Sequence, residues 1–167
     1  MAAAVEMLNI SKFYPGVVAT DYVSFSIDEG QILGLIGENG AGKSTMMNML
    51  YGMTEPDIGT IKLFGKEVRI QSPNMAIKMG IGMVHQHFML MPNLSVLQNI
   101  ILGNAPTKNG LIDVKTAKDK ITTIMKQYDL QVNLDEKIYQ LSVGEKQRVE
   151  IIKALYREAK ILILDEP

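Results

Sequence analysis

At 167 residues the chain has the length of one domain, and its 47% apolar and 21% charged content fits a packed core better than a disordered polymer. A net charge of -1, with no Lys/Arg cluster beyond short helical pairs, gives no basic footprint for nucleic acid, and the absence of cysteine excludes a disulfide framework and thiolate metal sites. No stretch approaches the roughly 18 apolar residues of a membrane span, and the start, MAAAVEMLNISKFYP, lacks the basic segment and long apolar core of a secretion signal, so the expectation is a soluble, cytoplasmic chain.

In chain order, YVSFSI alternates Val23, Phe25 and Ile27 with polar positions and predicts a half-buried strand. QILGLI, residues 31–36, is a continuous apolar run and predicts a fully buried one. PDIGTIKLFGKEVRI reads as two strands around a Phe-Gly-Lys turn, and Pro73 to Met79 as a short helix stopped by Gly80. Several of the 12 methionines follow in MGIGMVHQHFMLMPN; methionine fills irregular cores and also serves adaptable contact surfaces, and composition alone leans towards core.

From about residue 92 the pattern turns helical. Ser95 and Gln98 form a capping box ahead of VLQNIIL, which Gly103 ends. NAPTKNG predicts an exposed loop, and Asp113 caps a helix whose apolar face runs through Val114, Ala117, Ile121, Ile124, Met125 and Tyr128. Ser142 and Glu145 make a second capping box, continued by Val149, Ile152 and Leu155. The final ILILDEP predicts a buried parallel strand that brings Asp165 and Glu166 to its C-terminal edge, where open α/β sheets place their ligands.

The chemistry begins after QILGLI. GENGAGKST fits the spacing G-x-x-x-x-G-K-S/T. Gly37, Glu38, Asn39, Gly40, Ala41 and Gly42 would turn successive N–H groups inward around phosphate oxygens, and the helix beginning there would point its positive end at the same place. Lys43 would reach the β- and γ-phosphates, Ser44 would ligate Mg²⁺ and Thr45 would add a phosphate contact. A P-loop needs a second carboxylate-tipped strand: Asp165 would hold Mg²⁺ and Glu166 could take a proton from an attacking water. His85 and His87 share a strand face by spacing, but no third ligand lies nearby to favour a metal site.

Around these motifs, VHQHF and LSVGEKQRVEI give the chain a resemblance to the ATPase subunit of an ABC transporter, over essentially its whole length. The stretches GIGMVHQHFMLMPNLSVLQNIILG and LSVGEKQRVEIIKALYREAKILILDEP are similar to importers of nucleosides and simple sugars, in which one chain carries two fused ABC modules. The resemblance implies that Tyr14 stacks on adenine and that Gln86 touches Mg²⁺ and the attacking water. It also implies that Ser142 and Gly144 bind the γ-phosphate of ATP held by the opposite module. Most members have Gly-Gly-Gln where this chain has Val143, Gly144 and Glu145, and Glu145 cannot donate as Gln does.

The expected fold is therefore α/β: a P-loop NTPase core with a small antiparallel β part and an inserted helical subdomain. Residues 1–89 and 157–167 would form the core and residues 90–156 the helical part. The resemblance further implies that the chain stops after the Walker B motif and is C-terminally incomplete, without the next strand and its switch histidine. In the intact protein, ATP binding and hydrolysis would energise import of a small solute from the cytoplasmic side of the membrane. The partners would be membrane subunits, a second ABC module in the same chain or in a dimer, and indirectly a solute-binding protein. A soluble ABC ATPase of translation or DNA repair, or a non-hydrolysing nucleotide-binding fragment, are the alternatives.

Overall fold

The computed structural model describes residues 3–85 and 88–165. Their contacts divide the chain into two compact units, Met1–Met79 and Gly80–Pro167.

The first unit is built on a long hairpin. Strand β1 (Val5–Tyr14) turns through Pro15 and Gly16 into β2 (Val17–Ile27), and the two pair antiparallel with Met7 opposite Phe25 and Tyr14 opposite Val17. Helix α1 (Lys43–Leu50) follows, then β3 (Ile58–Leu63) and β4 (Lys66–Val68), giving an antiparallel sheet in the order β2-β1-β3-β4. The Phe-Gly-Lys turn joins β3 to β4, as the sequence predicts. Helix α2 (Pro73–Lys78) starts on Ser72, whose Oγ accepts the Met75 N–H, and ends at Met79, just before Gly80. Val5, Met7, Ile10, Ile61 and Leu63 of the sheet and Met46, Met49 and Leu50 of α1 are buried. Met7, Met46 and Met49 thus fill core, whereas Met53 is exposed, as are Met89 and Met91 of the methionine-rich segment.

Strand β1 is not straight. Asn9 takes φ 52°, its N–H is held by Ser24 Oγ at 2.7 Å, and the register with β2 shifts between Met7 and Ile10. The bulge returns Ile10 to the buried face after Val5 and Met7. Further along, Asp57 accepts the Phe13 N–H at 2.7 Å and the Lys12 ammonium at 3.0 Å, fastening the end of β1 to the start of β3. The backbone donor first and the ammonium second hold the Asp57 carboxyl below its usual range.

One expectation is corrected in this unit. Residues 31–38 adopt no strand, and Ile32 and Ile36 are 100% and 99% exposed. An apolar run becomes a buried strand only when neighbouring strands satisfy its backbone, and no described strand pairs with it.

The second unit opens with β5 (Ile81–Val84). Helix α3 (Val96–Ile101), a small hairpin of β6 (Thr107–Lys108) and β7 (Leu111–Ile112), and α4 (Val114–Gln127) follow. A 3₁₀ turn at Ile138–Gln140 leads into α5 (Val143–Tyr156) and β8 (Ile161–Leu164). The expected NAPTKNG loop is only partly a loop: Thr107–Lys108 form β6, Ala105 packs against the helical core, and the exposed tip is Asn109–Gly110, both at positive φ. Three caps read from sequence are present: Ser95 with Gln98, Asp113 with the Thr116 N–H, and Ser142 with Glu145. Each is worth about 1 kcal/mol.

Helices α3, α4 and α5 enclose one core, with Val96, Ile100, Ala117, Ile121, Ile138, Val149, Ile152 and Tyr156 buried together. Truncating Ile121 or Ile152, both fully buried, to Ala would cost about 2–5 kcal/mol. Val114 and Tyr128, expected on the apolar face of α4, lie exposed at its two ends.

Strands β5 and β8 pair in parallel, Ile81 with Ile161 through Val84 with Leu164. A Cβ at Gly82 would stand 2.9 Å from the Ala154 Cβ and 3.0 Å from the Ala159 Cβ, so the glycine lets α5 and the chain after it lie directly on β5. That packing lays β5 against α5. Of β8 only Ile163 is buried, while Leu162 and Leu164 are exposed; the predicted strand forms, but its full burial does not. Among the described residues, no helix is long and apolar enough to cross a membrane.

Candidate functional site

The loop Gly37–Gly42, exposed over residues 37–41, leads into α1. Gly42 is the N-cap, at φ 83°, so it supplies no capping oxygen, and the first turn of α1 holds no acidic residue. The N–H groups at the start of α1 therefore have no side-chain acceptor, and the helix end keeps its positive potential. Only glycine fits at position 42: a Cβ would lie 2.2 Å from the Ala19 carbonyl oxygen and 3.0 Å from Thr20 Cγ2 on β2. The hairpin that carries Tyr14 at its turn thus also provides the floor under the loop.

Lys43 folds back over this loop. Its ammonium donates to the Gly37 carbonyl at 2.7 Å and the Glu38 carbonyl at 2.8 Å, which uses two of its three protons and leaves one for an anion above the loop. Ala41 N–H donates to the Glu38 carbonyl at 3.2 Å, tightening the same turn. Ser44 is exposed, Thr45 half-buried, and Met46 and Met49 bury the other face of α1. An uncapped helix start, one ammonium and the exposed Ser44 hydroxyl, with no carboxylate in the first turn, are groups whose chemistry suits phosphate oxygens. Tyr14 is partly exposed, with the Lys12 ammonium 5.6 Å from its ring centre.

In the second unit, Asp165 follows β8 directly, its N–H donating to the Val84 carbonyl at 3.0 Å. Its carboxylate therefore stands at the C-terminal edge of the β5–β8 pair, the position read from sequence. Gln86, His87 and Glu166 lie outside the described residues. Among the described residues, no group of three or more His, Asp or Glu side chains comes together.

The start of α5 differs from that of α1. Ser142 Oγ donates to Glu145 Oε2 at 2.6 Å, the same oxygen accepts the Ser142 N–H at 2.9 Å, and Ser142 Oγ accepts the Glu145 N–H at 3.4 Å. The Ser142 hydroxyl first and its N–H second lower the Glu145 carboxyl, with the Arg148 charge adding a smaller pull in the same direction. Ser142, Val143 and Gly144 are all exposed, and nothing lies within 4 Å of a Cβ built on Gly144. Backbone N–H groups there are approachable by an anion, beside a carboxylate already turned onto the cap.

Sequence reasoning missed a polar cluster behind this helix start. Glu150, Lys153 and Asn99 bind the backbone of Met89 and Met91. The available signal was a Glu-x-x-Lys pair inside the otherwise apolar run VEIIKAL.

A family profile described as ABC transporter matches residues 20–167. The chain belongs to the ABC transporter family. This ABC chain is 51% identical over its whole length to the guanosine import ATP-binding protein NupO of Bacillus subtilis (strain 168). It is 50% identical over 98% of its length to the nucleoside import ATP-binding protein NupA of Lactococcus lactis subsp. cremoris (strain MG1363). Aligned, it occupies 33% and 32% of those proteins, so the chain spans about a third of the length of the curated relatives it matches. Among solved structures, a nucleotide-free ATP-binding cassette of an ABC transporter superposes with TM-score 0.82 at 27% identity, covering 100% of this chain and 70% of that one. A dimeric post-hydrolysis cassette bound to ADP and Pi superposes with TM-score 0.77 at 26% identity, covering 98% and 74%. The P-loop α/β fold read from the sequence is that of these cassettes.

Proposed function

We propose that the full protein binds and hydrolyses MgATP to drive import of a nucleoside or simple sugar through membrane subunits, working as a peripheral module on the cytoplasmic face. The observation that carries this is the start of α1: a glycine-capped, acid-free helix end with Lys43 folded across it, in an ABC chain whose relatives are named for nucleoside import. Those names also favour import over a soluble role in translation or repair.

In this reading Gly37, Glu38, Asn39, Gly40, Ala41, Gly42 and Thr45 cradle the phosphates, Lys43 draws the β- and γ-oxygens, and Tyr14 stacks on the base. Ser44, Gln86 and Asp165 would hold Mg²⁺, which when bound supplies charge neutralisation between the β- and γ-phosphates. Glu166 accepts a proton from the attacking water, and Gln86 orients that water. Ser142 and Gly144 present their helix start to the γ-phosphate on a second ABC module, from the same chain or a dimer partner, and a solute-binding protein delivers the cargo to the membrane subunits. Met89 and Met91, exposed in the segment after Gln86, border the contact with the membrane subunit.

The test is uptake. Vesicles carrying the full protein with its membrane subunits should accumulate labelled nucleoside or pentose only with MgATP inside the nucleotide-accessible compartment. Hydrolysis without any solute uptake, across both classes, would overturn the import reading.

A further inference from the structure

The segment 88–91, two residues beyond Gln86, is held by side chains and not by strands. Met89 N–H donates to Glu150 Oε1 at 2.8 Å, and its carbonyl accepts from the Lys153 ammonium at 3.1 Å. Lys153 also donates to Glu150 Oε2 at 3.4 Å, so an ion pair on α5 grips both polar groups of one residue. Two positions on, Met91 N–H donates to Asn99 Oδ1 at 2.7 Å while Asn99 Nδ2 donates to the Met91 carbonyl at 3.1 Å. Asn99 Nδ2 also donates to the Ser95 carbonyl at 3.0 Å, tying this second grip to the cap of α3.

The burial makes the arrangement informative. Glu150 is 6% and Asn99 1% exposed, whereas the side chains of Met89 and Met91 are 63% and 55% exposed; Leu90, between them, packs against the helical core. A buried carboxylate in a helix core costs more than an apolar residue of similar size, and breaking its pairing costs more still. The charge at position 150 is therefore explained by what it holds: the path of an extended backbone whose outward methionines need no partner in this unit. Helix α5 is also the helix that begins at Ser142.

We propose that Glu150, Lys153 and Asn99 are positioning residues that lock residues 88–91, the segment following Gln86 in sequence, to α5 and α3, so that a displacement of the Ser142 helix start is carried directly to that segment. This deepens the functional reading above and rests on it. Glu150 touches no reacting atom. Its task is to make the phosphate-facing end of α5 and the segment after Gln86 move as one body, so its loss should affect turnover more than nucleotide affinity.

The experiment compares Glu150→Leu, Glu150→Gln and Asn99→Leu with wild type in the full protein bound to its membrane subunits. Glu150→Leu and Asn99→Leu are expected to lower kcat for ATP about 5- to 30-fold while KM moves less than about two-fold. Glu150→Gln keeps a carbonyl oxygen for the Met89 N–H and should retain most of the turnover. Amide exchange supplies the second readout: Glu150→Leu should release protection at Met89 but not Met91, and Asn99→Leu the reverse. Unchanged kcat in Glu150→Leu with Met89 released would overturn the positioning role while leaving ATP-driven import intact. Protection lost alike throughout the α3–α5 core would also overturn it, by making these residues general packing. A wild-type complex that hydrolyses no ATP would overturn the functional reading first, and the inference with it.

Discussion

Two helix starts in this chain are proposed to meet phosphate, and they are built in opposite ways. Helix α1 begins on a glycine with no side-chain cap and no acid in its first turn, under a lysine. Helix α5 begins on a full capping box, with Glu145 bound to the hydroxyl and N–H of Ser142. A helix end that caps itself is stable without a ligand, and one left uncapped depends on backbone contacts such as the Ala19 floor to hold its shape until a ligand arrives. The uncapped start therefore reads as the primary anion site and the self-capped one as a secondary contact.

The comparison predicts where the largest effects fall. In the full protein, Glu166→Gln should slow hydrolysis by roughly 10²–10⁴-fold and leave MgATP binding intact. Lys43→Ala should instead weaken binding by about 10- to 100-fold, because a charged donor is removed from the uncapped start. Equilibrium nucleotide binding alongside single-turnover hydrolysis separates the two; near-normal turnover in Glu166→Gln would remove Glu166 from the role of base.

Next in size is the floor. Gly42→Ala forces a positive φ on a residue with a Cβ and drives that Cβ onto the Ala19 carbonyl, so a loss of about 1–3 kcal/mol is expected in chemical denaturation, together with loss of nucleotide binding. A variant as stable as wild type that still binds MgATP would mean that the loop can be built without this close approach.

A smaller effect sharpens the contrast between structural and functional caps. Ser95→Ala and Ser142→Ala remove the same capping box from α3 and α5, and each should cost about 1 kcal/mol of stability. Only Ser142→Ala should lower ATPase activity beyond what the melting shift explains. Equal activity in the two variants would reduce the start of α5 to an ordinary cap.

The caps were legible because each is a contact within four residues, so Ser95-Gln98, Asp113-Thr116 and Ser142-Glu145 needed no tertiary knowledge. The uncapped, glycine-led start of α1 after Gly37–Gly42 was legible for the same reason. Strand β1 was not read: β2 follows it directly, but its second partner β3 lies some fifty residues on, and the Asn9 bulge shifts the buried positions from Val5 and Met7 to Ile10, which breaks the two-residue period. QILGLI failed in the opposite direction, since its apolar run states a preference for burial that only neighbouring strands can satisfy. The Glu150–Lys153–Asn99 grip escaped because side chains from two helices converge on one short backbone segment, with Met89 lying 61 residues before Glu150.

The smallest expected effect is one of pH. The Glu145 carboxyl is depressed in the folded chain, so its contribution to stability is present above the ordinary carboxylate range and is lost as pH falls through the depressed value. Melting curves of wild type and Glu145→Gln should therefore differ near neutrality and converge in acid. Parallel curves at every pH would show that the carboxylate contributes nothing to holding the start of α5.

The exposed sulfurs of Met89 and Met91 carry a chemical consequence of their own. Methionine oxidation follows access, and Met7, Met46, Met49 and Met83 are buried whereas Met53, Met89 and Met91 stand in solvent. Because Glu150 and Asn99 fix the backbone and leave those two side chains outside, peroxide would convert them to polar sulfoxides without disturbing the fold beneath. An apolar exposed pair would become a hydrophilic one, reversibly, and the module would carry a record of oxidative exposure on the surface proposed to meet its membrane partner.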